Sequence, residues 1–252
     1  MGGQGIRTVV ALVILLAASL LTMSIAGIRQ RIDVLISVSR AVLQLLLVAL
    51  VIAWIFQHPQ GAVGYVLLML LAATVTATHR IGCGFRYSCW ILLAILAGAS
   101  ATISIIVLTG ALSRDVQTLL PFTAQMIGGA MTAALLAGSR LRDGALERWG
   151  EIEGYLALGA RPRQAVMPIS RHSIEQSLAP ALDQTKSAGL VLLPGSFVGL
   201  LLGGASPLVA AQVQLLVLCG LILAQAITAI LTTWFLAKVV GSLKPSEWKY
   251  NG

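Results

Sequence analysis

Charged side chains are scarce in this 252-residue chain. Asp, Glu, Lys and Arg together make up 10% of the residues, whereas soluble domains carry about a quarter. Hydrophobic residues make up 58%, and the mean hydropathy is +0.91. This composition excludes a soluble globular domain and predicts an all-α, polytopic integral membrane protein whose helices contact membrane lipid.

Sequence motifs for catalysis are also missing. The chain has no G-x-x-x-x-G-K-[ST] phosphate loop, which excludes ATP hydrolysis by that route. Its histidines, His58, His79 and His172, fall in separate predicted loops and form no ligand cluster. No carboxylate falls in the middle of a predicted span, so a secondary transporter that relays protons or sodium ions is disfavoured. The chain is therefore not predicted to be an enzyme or to bind a cofactor of its own.

Cysteine is rare, and the net charge is positive. The three cysteines cannot form a disulfide framework, and Cys83 and Cys89 are more typical of structural positions than of metal ligands. In a membrane protein the location of the basic residues behind the net charge of +8 tests the topology. Nucleic acid is therefore not an expected partner.

The apolar residues fall into seven runs that predict about seven transmembrane helices. The runs are residues 8–28, 38–56, 62–78, 90–112, 119–138, 180–204 and 208–240. The first run also resembles a signal peptide with a cleavage site after Ala26, although it exceeds the usual apolar region of about 15 residues. The last run reaches about 50 Å as a helix and must tilt, protrude or begin as an interfacial segment. Six or eight crossings therefore remain open.

The distribution of basic residues predicts the orientation. With seven crossings and the polar loop inside, every one of the 17 Lys and Arg residues except Arg7 and Arg114 lies on the cytoplasmic side. We therefore expect the N-terminus outside the plasma membrane and the C-terminus, with Lys238, Lys244 and Lys249, in the cytoplasm.

One polar stretch, residues 139–186, interrupts the apolar runs, and its part 139–180 is the predicted cytoplasmic coupling loop within a single permease domain, 1–252. Ala145, Trp149, Ile152 and Leu156 recur with helical spacing and predict an apolar stripe on a short helix. Gly159 is expected to end this helix. Pro162 is expected to start the next one. Such a helix is typical of a docking element, although a solvated connector is an alternative.

The sixth predicted span contains glycines, a proline and two charged residues that would affect its packing and its shape. Gly195, Gly199 and Gly203 repeat every four residues and form a groove for a close helix, either at a pore or dimer axis or within the chain. Pro194 is expected to kink the span. Asp183 and Lys186, near its cytoplasmic end, are expected to form an interfacial ion pair or to act in gating.

Two methionines in the fifth predicted span offer soft sulfur ligands. Met126 and Met131 are candidates for contact with a metal ion, although methionine in a span more often only packs.

Several motifs resemble those of ABC transporter permeases. Residues 153–159, E-G-Y-L-A-L-G, resemble the cytoplasmic E-A-A-x-x-x-G loop, and Ile169 falls on that motif's isoleucine, although Arg171-His172 replaces its Leu-Pro. Longer stretches are similar to the iron-export ABC permease family, whose plant relatives are associated with aluminium tolerance. These are residues 156–165, 171–174, 183–195 and 204–210, together with 40–45 in the second span.

The resemblance implies a permease that exports a metal ion such as iron and acts as a homodimer. A separate cytoplasmic subunit would bind and hydrolyse ATP with Mg²⁺. The expected coupling residues are Trp149, Ile152, Glu153, Leu156, Gly159 and Arg161. The expected packing or gating residues are Asp183, Lys186, Pro194, Gly195, Gly199 and Gly203.

One departure bears on the substrate. The family commonly reads G-N-A-M-T in the fifth span, whereas this chain has Gly129 in place of the asparagine. An ABC permease for a non-metal substrate therefore stays open, as does a non-transporting membrane assembly or regulatory subunit.

Overall fold

The computed structural model describes residues 2–27 and 31–240, and its regular structure in these ranges is helical. Lys244 and Lys249 lie outside the described residues. The α-helices in chain order are α1 (Gly2–Ile25), α2 (Arg31–Gln57), α3 (Gly61–Ile81), α4 (Ser88–Thr109), α5 (Val116–Glu147), α6 (Trp149–Ala157), α7 (Pro162–Ala165), α8 (Met167–Ser187), α9 (Gly195–Leu202) and α10 (Pro207–Val240). A short 3-10 helix, Phe85–Tyr87, precedes α4. The predicted all-α class is confirmed.

Six helices within the described ranges are long and apolar enough to cross a membrane. They are Gly5–Ile25, Ile32–Gln57, Gly61–Ile81, Phe85–Thr109, Val116–Glu147 and Pro207–Val240. They coincide with the first five predicted spans and with the last apolar run, so the prediction of a multi-pass membrane protein is confirmed. The last run is one continuous helix, so it is not divided into an interfacial segment and a separate span.

The prediction that the sixth span, residues 180–204, forms a single helix is wrong. Helix α8 ends at Ser187 and α9 begins only at Gly195. Between them Gly189 adopts a left-handed φ of +86°, and its backbone N–H donates to the Leu192 carbonyl oxygen at 2.9 Å. A tight turn therefore separates the two helices, and Pro194 stands at the N-cap of α9 rather than at a kink.

The start of α5 also differs from the expectation. The Asp115 side chain accepts a hydrogen bond from the Thr118 backbone N–H at 3.0 Å, so it caps the helix and lets it begin at Val116. Pro121 consequently lies inside the helix.

The chain forms two compact units, Met1–Pro59 and Gln60–Gly252. In the first, α1 and α2 contact each other. The second contains α3 to α10, and its core is built around α5 and α10, which pack against each other and against α4 and α8. A single permease domain over residues 1–252 stays a prediction.

Small residues let α4 and α10 approach closely. A Cβ atom added at Gly98 would lie 2.4 Å from the Ala224 carbonyl oxygen. The Thr228 hydroxyl, on the same face of α10, donates to the Ala94 carbonyl oxygen at 3.2 Å. Two helices that meet at backbone distance are typical of membrane bundles, where small residues replace the hydrophobic effect as the basis of association.

We expect Gly98→Ala to destabilise the protein by about 1–3 kcal/mol, because the new methyl group would overlap the backbone of α10. Thermal unfolding in detergent measures this effect. Gly64→Ala in α3 is the matched control, since a Cβ there meets nothing within 4 Å. A Gly98→Ala protein as stable as the control would contradict the close approach of α4 and α10.

Candidate functional site

Residues 148–166 form what we call the coupling segment. A break at Arg148, with φ −111°, separates the end of α5 from α6. A turn at Gly159, with φ +87°, then leads to α7. Pro162 is the first residue of α7, as predicted, and the Gln164 side chain accepts a hydrogen bond from the Arg161 backbone N–H at 2.9 Å.

The apolar stripe of α6 packs on the chain's own core. Ile152 is fully buried, and Trp149 and Leu156 are partly buried against the same cluster. Ile152 is therefore covered by the chain itself, and the coupling roles of Trp149 and Leu156 stay predictions. The physical reason is that α6 contacts α7 and the end of α5, and these elements cover the stripe.

The other face of the coupling segment is open. Leu158 is 87% exposed and Tyr155 is 46% exposed, although both side chains are largely apolar. Glu153, Gly159 and Arg161 lie exposed beside them. The sequence analysis missed Tyr155 and Leu158 because they fall off the stripe. The coupling roles of Glu153, Gly159 and Arg161 stay predictions.

Charges on this open face are paired along the helix. The Arg148 Nε donates to Glu151 Oε1 at 2.8 Å. This hydrogen bond and the positive charge lower the pKa of the Glu151 carboxyl. The pair therefore stays ionised near neutral pH.

An aromatic row connects the coupling segment to the membrane helices. The Arg163 guanidinium lies 3.9 Å from the ring centre of Trp234 on α10. Trp234 contacts Phe235, with ring centres 5.1 Å apart, and Phe235 contacts Trp90 on α4 at 4.7 Å. A cation over an indole is a favourable contact of about 0.5–2 kcal/mol. A displacement of α7 would therefore act directly on α10 through this contact.

Helices α8 and α9 together run antiparallel to α10. Ile174 packs near Ala229, Gln184 shares a cleft with Gln225, and the Ser196 hydroxyl donates to the Gln214 side-chain oxygen. The residue numbers of the contacts on α10 decrease as those on α8 and α9 increase. The interrupted pair α8–α9 therefore lies alongside most of α10, where the sequence predicted one continuous span.

Within the unit Gln60–Gly252, no helix lies against the predicted glycine groove. A Cβ at Gly195 or Gly199 meets nothing within 4 Å, and one at Gly203 meets only carbonyl oxygens of α9 itself. The packing or gating role of these glycines stays a prediction. The groove is open because α9 has only eight residues and packs against α10 by its other face.

The predicted ion pair forms, but at a different position along the membrane helices from the one expected. The Lys186 ammonium nitrogen lies 3.9 Å from Asp183 Oδ1, and both side chains are 75% exposed. Gln184, between them in sequence, lies opposite Leu221 and Gln225 of α10. The pair is thus level with the middle of α10, which corrects its expected place near the cytoplasmic end.

A cleft of about 390 Å³ lies between α5, α8 and α10. Its polar side chains are three glutamines, one from each helix, and a threonine. The lining residues are Gln125, Gly128, Gly129, Thr132, Pro180, Ala181, Gln184, Leu221 and Gln225. We call this the three-glutamine cleft. Sequence reasoning missed it, except that it singled out Gly129.

Gly129 borders the most buried of these glutamines. Gln225 is 9% exposed. A Cβ at Gly129 would lie 3.3 Å from Gln225 Nε2 and 2.5 Å from Leu221 Cδ2. An asparagine at this position would therefore place a further amide beside Gln225, and glycine leaves that volume free.

The two candidate methionines do not share a site. Met126 is fully buried, with its sulfur beside Gly220 of α10, and Met131 is partly buried against the core. Five residues apart on one helix, they point about 140° away from each other. Neither lines the three-glutamine cleft. In the described parts of the chain, no group of three or more His, Cys, Asp or Glu side chains is close enough to hold a metal ion.

Comparison with known proteins finds relatives along most of the chain. The model of an uncharacterised protein family, UPF0014, matches residues 6–240. The chain belongs to the UPF0014 family. Among its relatives, Protein ALUMINUM SENSITIVE 3 of Arabidopsis thaliana is 33% identical over 91% of this chain and 84% of its own length. The UPF0014 membrane protein STAR2 of Oryza sativa is 35% identical over 80% and 72%.

A bacterial relative in the UPF0014 family carries a transport name. "Probable iron export permease protein FetB" of Escherichia coli is 28% identical over 80% of this chain and 79% of its own length. No solved structure matches the chain. The likeness to the iron-export and aluminium-tolerance family is therefore confirmed.

Proposed function

We propose that this UPF0014 protein is the membrane-spanning permease subunit of an ABC transporter. It exports a metal ion such as iron, and a separate cytoplasmic subunit binds and hydrolyses ATP with Mg²⁺. The relative named as an iron export permease supports the cargo and the direction. The exposed tip of the coupling segment supports the presence of a separate ATP-binding subunit.

The observation that carries the proposal is the open apolar tip of the coupling segment. Leu158 exposes 87% of its surface at a turn between two short helices. With Tyr155, which is 46% exposed, it forms an apolar patch beside polar residues, and such patches mark sites of protein interaction. A short helical tip that inserts into a groove of a partner subunit accounts for it.

The fold offers a route from this tip to the membrane helices. Ile152 anchors α6 in the core, and Arg163 stacks on Trp234 of α10. A push on the tip would therefore act on α10 and on α8, which follows α7 directly. ATP binding and hydrolysis in the partner would use this lever to change the state of the helices around the cleft.

A second copy of the chain is part of the proposal. The glycine face of α9, with Gly195 and Gly199, has open space where a helix of a partner subunit would fit. The Asp183–Lys186 pair, exposed level with the middle of α10, must be kept from lipid, and a water-filled cavity between the two copies would do this. Both features favour a homodimer with α8 and α9 toward the partner copy.

The proposed orientation predicts which cysteines an impermeant thiol reagent labels. A cysteine at Gln60 should react from outside the cell, and one at Glu153 only after permeabilisation. Cys89 and Cys219 are exposed and must first be replaced. Cys83 can stay, because burial raises the pKa of its thiol to about 11 and leaves little reactive thiolate. The reverse labelling pattern would overturn the orientation.

Vesicles that contain the chain and a candidate ATP-binding subunit test the function itself. We expect a divalent metal such as Fe²⁺ to stimulate ATP hydrolysis and to move across the membrane. A non-transporting assembly subunit would bind the ATP-binding protein without moving any solute.

A further inference from the structure

The three-glutamine cleft lies deep in the membrane-crossing part of the fold. On α5, Gln125 is ten residues after Asp115 and Thr132 is eight residues before Arg140. At 1.5 Å per residue these polar ends are about 15 Å and 12 Å away along the helix. The cleft therefore sits near the middle of a hydrocarbon core of about 30 Å.

One wall of the cleft faces water at this depth. Gln184 of α8 lines the cleft, and its neighbours in the helix, Asp183 and Lys186, are each 75% exposed. Charged side chains in the middle of a membrane face a water-filled cavity or the interior of a bundle, because contact with lipid costs too much free energy. The exposed side of α8 is therefore wetted, and water can reach the cleft.

The amides in the cleft lack partners of their own. Neither Gln125, Gln184 nor Gln225 has a side-chain hydrogen bond to any residue within 2–27 and 31–240. Gln225 is 9% exposed, and its amide is open to the cleft that it lines. The Thr132 hydroxyl already donates to the Gly128 carbonyl oxygen at 3.0 Å and can still accept a hydrogen bond. The cleft thus offers several free acceptors around one space.

The chemistry of these groups indicates what they bind. The lining of the cleft has no carboxylate, imidazole or thiolate, which are the side chains that bind iron directly. Amide and hydroxyl oxygens can accept hydrogen bonds from the waters that a cation carries. A shell of roughly six waters, at about 30 Å³ each, occupies about 180 Å³. That volume and the ion fit in the cleft of about 390 Å³.

We propose that the three-glutamine cleft binds the transported cation with its first shell of water in place. The glutamine oxygens accept hydrogen bonds from the coordinated waters, and no protein atom enters the coordination sphere. This inference rests on the proposed export of a metal ion. It specifies that the cation is recognised by the outer surface of its hydrate.

Hexaamminecobalt(III) tests this directly, because its six ammonia ligands donate hydrogen bonds like coordinated water and do not exchange. Equilibrium dialysis measures its binding to the purified complex of chain and ATP-binding protein, with cobalt quantified by mass spectrometry. Vesicle ATPase assays measure its competition with Fe²⁺. We expect it to bind and to compete. Gln225→Leu should weaken both effects about ten-fold, the equivalent of one hydrogen bond to a charged complex.

Gln212→Leu is the matched control, since Gln212 is an exposed glutamine of α10 outside the cleft and should change neither effect. If Fe²⁺ stimulates hydrolysis but hexaamminecobalt(III) neither binds nor competes, the cation sheds its water and the inference is wrong, while the export function stands. Equal weakening by both variants would also overturn it. If no divalent metal stimulates hydrolysis, the export function is wrong and the inference is wrong with it.

Discussion

Replacement of Leu158 by aspartate should remove most of the association between this chain and the proposed ATP-binding subunit. Leu158 projects from the coupling segment with 87% of its surface exposed. Full burial of a leucine contributes about 1.5–3 kcal/mol, so the affinity should fall between about ten-fold and one hundred-fold. The aspartate adds an unpaired charge to the contact. Co-purification from detergent extracts, followed by titration of the purified subunits, measures the loss.

Two controls separate a lost contact from a misfolded protein. Leu158→Met keeps an apolar side chain of similar size and should retain the association. The thermal stability of the Leu158→Asp chain by itself should not change, because the residue makes little contact with its own fold. Unchanged affinity of Leu158→Asp would remove the main support for an ATP-binding partner at this surface.

The apolar runs predicted most of the membrane helices because length and hydropathy are local properties. Helices α1 to α5 and α10 each contain an uninterrupted apolar stretch, and the runs identified them. Their ends were less predictable. Asp115 shows why, since a single capping side chain moved the start of α5 by three residues relative to the apolar run.

The coupling segment shows what periodicity leaves open. The spacing of Trp149, Ile152 and Leu156 correctly placed these residues on one face of a helix. It did not determine what covers that face. The fold of α6 onto α7 and α5 assigns the stripe to the chain's own core and leaves Leu158, on the opposite side, exposed.

The cleft and the ion pair depend on contacts between distant parts of the sequence. Gln125, Gln184 and Gln225 belong to three helices, and no local pattern relates them. The depth of Asp183 was misjudged for the same reason. Its neighbours in sequence are polar, but its neighbours in space belong to the middle of α10.

The second large effect is expected at Arg163, whose side chain connects the coupling segment to α10. Arg163→Leu removes the cation that lies 3.9 Å from the Trp234 ring centre. The association with the ATP-binding subunit should persist, because Leu158 and the tip of the segment are unchanged. The amount of cation moved per ATP hydrolysed should fall, by about two-fold to thirty-fold, since a contact worth about 0.5–2 kcal/mol no longer links the lever to the helix.

A double-mutant cycle decides whether the contact itself carries the effect. Trp234→Leu should lower the transport ratio as Arg163→Leu does, and the double variant should be little worse than either one, because each single change already removes the pair. Arg171→Leu, an exposed arginine of α8, is the control and should leave the ratio unchanged. Additive losses would show that Arg163 and Trp234 act separately. The force from the ATP-binding subunit would then have to reach α10 through α8, which follows α7 directly in the chain and packs along α10.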